Sequence, residues 1–275
     1  MKIKFYGTAA AEGVPALYCT CPTCEHARRS GGKEVRTRSQ ALINDDLLID
    51  FPADTYLHVL QGGLPLHHIR HILITHAHPD HLYPADISMR GPGFSNLEDS
   101  ETLRIYGSSG VWKELMKNDT IPVLMARNII KFTEVHAFNT FTAGEYRVTP
   151  LKADHGTENP YIYLIEKEGK SLLYAHDTGY FPEETMEFLK QWNKTVDLAS
   201  FDCCYSLKHC EKGHMGFDEV RTMAEQLKEI GALDENSVCC INHFSHNNGL
   251  SYEEMNKYAK KYGYLTTYDG METEF

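Results

Sequence analysis

Short apolar segments recur along the chain, and a turn or a polar loop follows each of them. Residues 2–6 alternate polar and apolar side chains, as a half-buried strand does. Two apolar segments flank the turn Asn44-Asp45-Asp46 and predict a β-hairpin over residues 40–50. Further strands are predicted at residues 69–75, 103–106, 161–165, 171–174, 196–202, 238–241 and 264–268, and a meander of strands over residues 129–152. Helices are predicted at residues 54–62, 83–90, 108–117, 182–192, 217–230 and 252–262.

Four metal-capable side chains lie directly after the predicted strand at residues 69–75: His76, His78, Asp80 and His81. In an extended segment His76 and His78 project from the same side, which suits one ion, and the turn at Pro79 can direct Asp80 and His81 toward a second. Because one tetrahedral ion takes only four donors, so dense a cluster, with further ligands elsewhere, indicates two ions. The alternative is a surface loop that is rich in histidine.

A second candidate metal site begins with three cysteines near the N-terminus, Cys19, Cys21 and Cys24. Three thiolates at this spacing converge readily on one soft cation, and a structural zinc needs one more nitrogen or sulfur donor. His246 is well placed to provide it, because it follows His243 too closely to share an ion with it without strain. Such a site would join the 19–24 loop to the 243–246 loop, and buried or redox-active cysteines are the alternative.

The composition narrows the class of protein. The chain has 275 residues, of which 42% are hydrophobic, and α/β folds of this size form single units, so we expect one domain over residues 1–275. The N-terminus lacks an apolar signal region, which predicts a cytoplasmic protein with no membrane partner. The net charge of −11 argues against a nucleic-acid partner, whereas bound divalent ions would still attract a small anionic substrate. The oligomeric state is open, and a homodimer is one alternative.

The His-x-His-x-Asp-His run at residues 76–81 resembles the metallo-β-lactamase superfamily. The resemblance implies an α/β fold, an αββα sandwich with a dinuclear metal site at one edge of its two sheets. It implies the following ligand sets: His76, His78 and His155 on one ion, Asp80, His81 and His243 on the other, and Asp177 between them. His176 would point to the opposite face of its extended segment, so we do not expect it to be a ligand.

The cysteine segment, the His243-x-x-His246 pair and the segment Gly213-His214-Met215 together resemble the PhnP-like phosphodiesterases, accessory proteins of carbon-phosphorus lyase pathways. The resemblance implies a structural zinc on the cysteine site and two divalent cations, manganese or zinc, at the catalytic site. A metal-bridging hydroxide would hydrolyse a small phosphodiester substrate, a cyclic ribose or nucleotide phosphate. Catalytic roles are implied for Asp80 and for His214, the latter at the leaving group. From the residues alone, His214 is equally well an ordinary loop histidine.

Other interpretations remain open at this stage. A thioester hydrolase of the glyoxalase II type has the same ligand types, and a non-enzymatic metal or redox sensor could use the cysteine cluster. Asp50 either orients a ligand histidine or is a solvated carboxylate at a strand end. Residues 83–130 are expected to shape the substrate pocket, and Arg90 among them either reaches a phosphate or is solvated.

Overall fold

The computed structural model describes residues 1–97 and 101–275, and in these residues the strands form two seven-stranded sheets. The first sheet contains, in spatial order, β14 (Glu272–Glu274), β1 (Lys2–Gly7), β2 (Gln40–Ile43), β3 (Leu47–Ile49), β4 (His71–Leu73), β5 (Leu103–Gly107) and β6 (Ile130–Glu134). The second contains β13 (Leu265–Thr266), β12 (Val238–Asn242), β11 (Leu198–Asp202), β10 (Lys170–Ala175), β9 (Tyr161–Lys167), β8 (Tyr146–Lys152) and β7 (Phe141–Ala143).

The helices lie on the outer faces of the two sheets, except for the first, which packs against the N-terminal loop. They are α1 (Pro22–Ser30), α2 (Thr55–Leu60), α3 (Pro84–Ile87), α4 (Ser109–Leu115), α5 (Thr120–Ala126), α6 (Glu183–Trp192), α7 (Phe217–Glu229) and α8 (Tyr252–Ala259). Short 3₁₀ turns occur at Gly32–Glu34, Ser88–Arg90, His246–Asn248 and Lys260–Tyr262. Among the described residues, no helix combines the length and the apolar content that crossing a membrane requires.

Alternation along the strands explains the layers. In β3, Leu47 and Ile49 face the core between the sheets, whereas Leu48 faces the helices. The core between the sheets continues through Leu172 and Leu198 of the second sheet. The outer faces are covered by α2–α5 on the first sheet and by α6–α8 on the second. The layers therefore run helix, sheet, sheet, helix, which confirms the predicted αββα sandwich.

The predicted meander over residues 129–152 is wrong in one respect. β6 pairs in parallel with β5 at the edge of the first sheet, while β7 and β8 form a hairpin in the second. The alternation marked the strands correctly, but it carries no information about which sheet each strand joins. The helices α1 and α5 and the terminal strand β14 were not predicted, and all three are short.

Parallel pairing brings the ends of several strands to one edge. β3 is parallel to β4, and β10, β11 and β12 are mutually parallel. β8 has the same direction as β10, because each is antiparallel to β9 between them. In parallel α/β sheets, ligands bind beyond the carboxyl ends of the strands, so the segments after these strands are placed for a shared site.

Candidate metal centre

The side chains predicted as ligands all follow strand ends. The 76–81 segment comes after β4, His155 after β8, Asp177 after β10 and His243 after β12. The structure brings them together into two neighbouring groups of donor atoms. Each group fits within 4.8 Å: one consists of His76, His78 and His155, and the other of Asp80, His81, Asp177 and His243.

The first group is a cluster of three imidazoles. Nδ1 of His78 lies 3.0 Å from Nε2 of His76 and 3.1 Å from Nε2 of His155. Donors at about 2.1 Å from one tetrahedral ion are separated by about 3.4 Å, so this spacing suits a shared cation. Nδ1 of His155 donates to the carbonyl oxygen of Gly213 at 2.9 Å, which leaves its Nε2 free to bind metal.

The second group is more deeply buried. Nε2 of His243 lies 3.1 Å from Oδ2 of Asp177, and Nε2 of His81 lies 3.3 Å from Oδ2 of Asp80. Four of its buried atoms have no hydrogen-bond partner among the described residues: His81 Nε2, Asp177 Oδ2 and both ring nitrogens of His243. A buried polar atom without a partner is costly unless an unseen water or ion satisfies it. These converging lone pairs therefore fit a bound cation.

Asp177 connects the two groups. Its Oδ1 lies 3.8 Å from Nε2 of His155, and its Oδ2 lies 3.8 Å from Nε2 of His76 and 2.5 Å from Nε2 of His81. The backbone of Asp177 is left-handed, with φ of 52°, as is that of His243, with φ of 63°. Such backbone is uncommon outside glycine and concentrates at functional sites. Asp177 thus has the position expected of a carboxylate between two ions.

Asp50 orients a predicted ligand, which decides between the two interpretations of this residue. Its side chain is fully buried, and Nδ1 of His81 donates to its Oδ2 at 2.7 Å. The backbone amide and hydroxyl of Thr75 donate to Oδ1 at 2.8 and 2.9 Å. Because Nδ1 of His81 carries the proton, Nε2 presents its lone pair to the centre.

Asp202, at the end of β11, was not predicted as a site residue. It is fully buried, and its Oδ2 accepts from the backbone amide of Asp177 at 3.0 Å and from Nδ1 of His214 at 2.8 Å. Its Oδ1 accepts from the amides of Cys204 and Met215. Its position in the sequence could have indicated this role, because a carboxylate at the end of an apolar strand lies at the same edge as the metal ligands.

His214 lies on the more open side of the centre. Its side chain is 25% exposed, compared with 4% for Asp177 and 1% for His243. Burial lowers the pKa of His214, but Asp202 and Asp177 outweigh that effect and raise it to about 9. Cations bound at the neighbouring carboxylates would oppose the rise. The imidazole can therefore carry a proton beside the metal-binding groups.

The three cysteines and His246 also come together. Nδ1 of His246 lies 3.5 Å from Sγ of Cys19 and 3.4 Å from Sγ of Cys21, and Cys24 completes a group within 4.8 Å. Zinc bonds of about 2.3 Å to sulfur and 2.0 Å to nitrogen would separate these donors by about 3.5 Å. Burial disfavours the Cys21 thiolate, but the amide of Cys24 and the imidazole of His246 lower its pKa to about 6. The donors fit a structural zinc.

Two further residues lie away from these groups of donors. His176 is buried beside Tyr174, and its Nε2 is 2.8 Å from Oγ of Ser200, as expected of a residue on the opposite face.

Arg90 is half-buried along a cavity of about 310 Å³ lined largely by apolar side chains, and it donates to the carbonyl oxygen of Glu101. The role of residues 83–130 in the substrate pocket stays a prediction, and residues 98–100 lie outside the described residues.

Known proteins resemble this chain in sequence and in fold. Coenzyme PQQ synthesis protein B of Methylobacterium nodulans is 27% identical over 231 residues, 74% of this chain and 72% of that protein. A ribonuclease Z of Listeria monocytogenes is 24% identical over 205 residues, 72% of this chain and 61% of that protein. The crystal structure of a diphosphatase from the PhnP family has a TM-score of 0.75 at 23% identity, covering 100% of this chain and 98% of that chain.

A family model described as a beta-lactamase superfamily domain matches residues 49–235, which is more than half of the chain. The matched region contains the 76–81 segment, His155, Asp177 and His214, while His243 and the cysteine site lie outside it. The clustered histidines and aspartates fit the metal site that such a fold implies. The chain therefore belongs to the beta-lactamase superfamily, as a metal-dependent hydrolase, which confirms the superfamily and the class predicted from the sequence.

Proposed function

We propose that this protein is a phosphodiesterase that uses two divalent cations, manganese or zinc, to hydrolyse a small cyclic ribose or nucleotide phosphodiester. The observation that carries the proposal is the position of His214. Its Nδ1 is bound to Asp202 at 2.8 Å and lies 3.4 Å from Oδ1 of Asp177. An acid beside the metal-binding groups is what a poor alkoxide leaving group needs, whereas a thiolate leaves without one. The similarity to proteins named as a ribonuclease Z and as a diphosphatase of the PhnP family also supports hydrolysis at phosphorus.

The metal ligands in this proposal are His76, His78 and His155 for one cation, and Asp80, His81 and His243 for the other, with Asp177 shared. When bound, the cations supply Lewis-acid activation of water and of a phosphate oxygen. Asp80 stays ionised within the second group, because His81 and His243 outweigh the effect of burial and lower its pKa. We further propose that zinc on Cys19, Cys21, Cys24 and His246 stabilises the loop that carries His243.

His214 acts on the leaving group. Because its Nδ1 donates to Asp202, the proton it can deliver is the one on Nε2. The oxygen of water bonds to phosphorus and gives up one proton to solvent, while the bond from phosphorus to the leaving oxygen breaks. The leaving oxygen keeps the bonding electrons and takes the Nε2 proton, and the imidazole regains a proton from solvent before the next turnover. General acid catalysis of this kind contributes about 10²-fold or more. Asp202 stabilises the charged imidazole and holds it in place.

The test compares three substrate classes with one preparation. Manganese- and zinc-loaded protein is assayed on ribose 1,2-cyclic phosphate, on 2′,3′-cyclic nucleotides and on an acyl-glutathione, each with the wild type and with His214→Ala. We expect diester hydrolysis, reduced about 10²-fold or more by His214→Ala. Thioester turnover above diester turnover would instead identify a hydrolase of the glyoxalase II type. Absence of turnover with all three substrates would favour a metal or redox sensor.

A further inference from the structure

Tyr205 flanks the open side of the metal centre. The residue is 39% exposed, although it follows a run of buried residues at the end of β11. The centroid of its ring lies 6.3 Å from that of His214. An aromatic ring left partly in solvent at this position is accessible to a ligand beside the proposed acid.

The backbone of Tyr205 is tied to the loop that carries His214. The amide of Tyr205 donates to the carbonyl oxygen of Met215 at 3.1 Å, and the amide of Phe217 donates to the carbonyl oxygen of Ser206 at 2.6 Å. The two loops approach so closely that a Cβ on Gly216 would lie 2.0 Å from the carbonyl oxygen of Lys208. Tyr205 and His214 therefore sit on loops that are tied together, and binding need not order them first.

We propose that Tyr205 is a stacking surface for a planar ring in the leaving group, and hence that the substrate is a nucleotide-type diester whose leaving oxygen belongs to a nucleoside. This rests on the proposed function, because His214 can protonate the leaving oxygen only if that part of the substrate lies next to it, on the side of Tyr205. Stacking uses the π-face that every base presents. It also requires no positive charge, which suits a chain with a net charge of −11.

The first experiment measures binding, so it does not depend on turnover. Metal-loaded protein is titrated calorimetrically with adenosine 3′-monophosphate and with methyl riboside 3-phosphate, which lacks the base. We expect the wild type to bind the nucleotide about tenfold or more tightly than its base-free partner. Tyr205→Leu should reduce that ratio to about one, and Tyr205→Phe should keep it. Leu207→Ala is the control, since Leu207 is 45% exposed two residues further along.

The second experiment repeats the comparison in turnover, with 2′,3′-cyclic adenosine monophosphate and its base-free methyl riboside. The ratio of the two kcat/KM values should fall about tenfold in Tyr205→Leu and hold in Tyr205→Phe. An unchanged binding ratio in Tyr205→Leu overturns the inference, and so does an equal loss in Tyr205→Phe, which would assign the effect to the hydroxyl. If the wild type prefers the nucleotide through Tyr205 but hydrolyses no diester, the proposed function fails and the base-binding site stands.

Discussion

Asp202 and His214 are joined by a hydrogen bond of 2.8 Å between Oδ2 and Nδ1, and the same Oδ2 accepts the backbone amide of Asp177. One fully buried carboxylate thus positions both the proposed acid and the proposed shared metal ligand. Asp202 is not part of the sequence motifs that predicted the ligands. Its contribution depends on the ends of β10 and β11 and the loop before α7 meeting at one edge.

Replacing Asp202 with asparagine should lower kcat for a diester with an alkoxide leaving group by about 10²-fold, because His214 loses the negative charge that stabilises its protonated form. The loss should be much smaller with a p-nitrophenyl leaving group, which departs without a proton. Paired with His214→Ala, the double variant should lose little more than either single variant. Asp197→Asn, directly before the same strand, is the control. Independent, additive losses would separate Asp202 from His214.

Substitutions at the adjacent residues Asp177 and His176 should differ sharply in their effect on metal content. Asp177→Asn removes a negative charge that faces both groups of donors, so the protein should lose at least one equivalent of divalent metal, measured by atomic emission after dialysis. His176→Gln should keep its metal, because His176 bonds Ser200 and faces away from the centre. Equal metal content in Asp177→Asn and the wild type would show that this carboxylate is not a ligand.

The cysteine site can be tested separately from the catalytic one. His246→Ala and Cys21→Ser should each lose one tightly held zinc and lower the thermal unfolding temperature, because structural zinc binding contributes directly to folding. Cys210→Ser, a cysteine outside the cluster, should retain that zinc. If the zinc content of His246→Ala matched that of the wild type, the fourth ligand would have to be another residue.

His58 makes stability depend on pH. It is buried with Nδ1 donating to Oε1 of Gln40 at 2.6 Å, and burial, only partly offset by Asp54, lowers its pKa to about 4. The unfolded chain binds a proton below about pH 6.5 and the folded chain does not, so stability is present above that pH and is lost as the pH falls. From pH 7.5 to pH 5 the loss should be about 2 kcal/mol.

Urea unfolding of the wild type and of His58→Asn at both pH values measures the contribution of His58 to the pH dependence of stability. The other histidines titrate in both proteins, so the difference between the two pH dependences isolates His58. The free energy of unfolding of His58→Asn should fall by about 2 kcal/mol less than that of the wild type. Parallel pH dependences would mean that His58 can be protonated in the folded protein.

The sequence by itself determined most of the elements and the chemistry of the two local clusters. Hydrophobic alternation located the strands because side chains on a strand face opposite sides in turn, whatever the strand pairs with. The 76–81 segment and the Cys19 to Cys24 segment predicted metal binding, because their donors are close together along the chain. The superfamily followed from the same short motif, and the family comparison confirmed it.

Only the tertiary structure decided which distant residues meet. Strand pairing separated β6 from β7 and β8. It also brought Asp50 to His81, and Asp202 to Asp177 and His214. A lone carboxylate at a strand end looks the same in sequence whether it is solvated or buried beneath a histidine. Its environment is set by parallel crossovers between segments far apart in the chain, and no local pattern of side chains encodes that pairing.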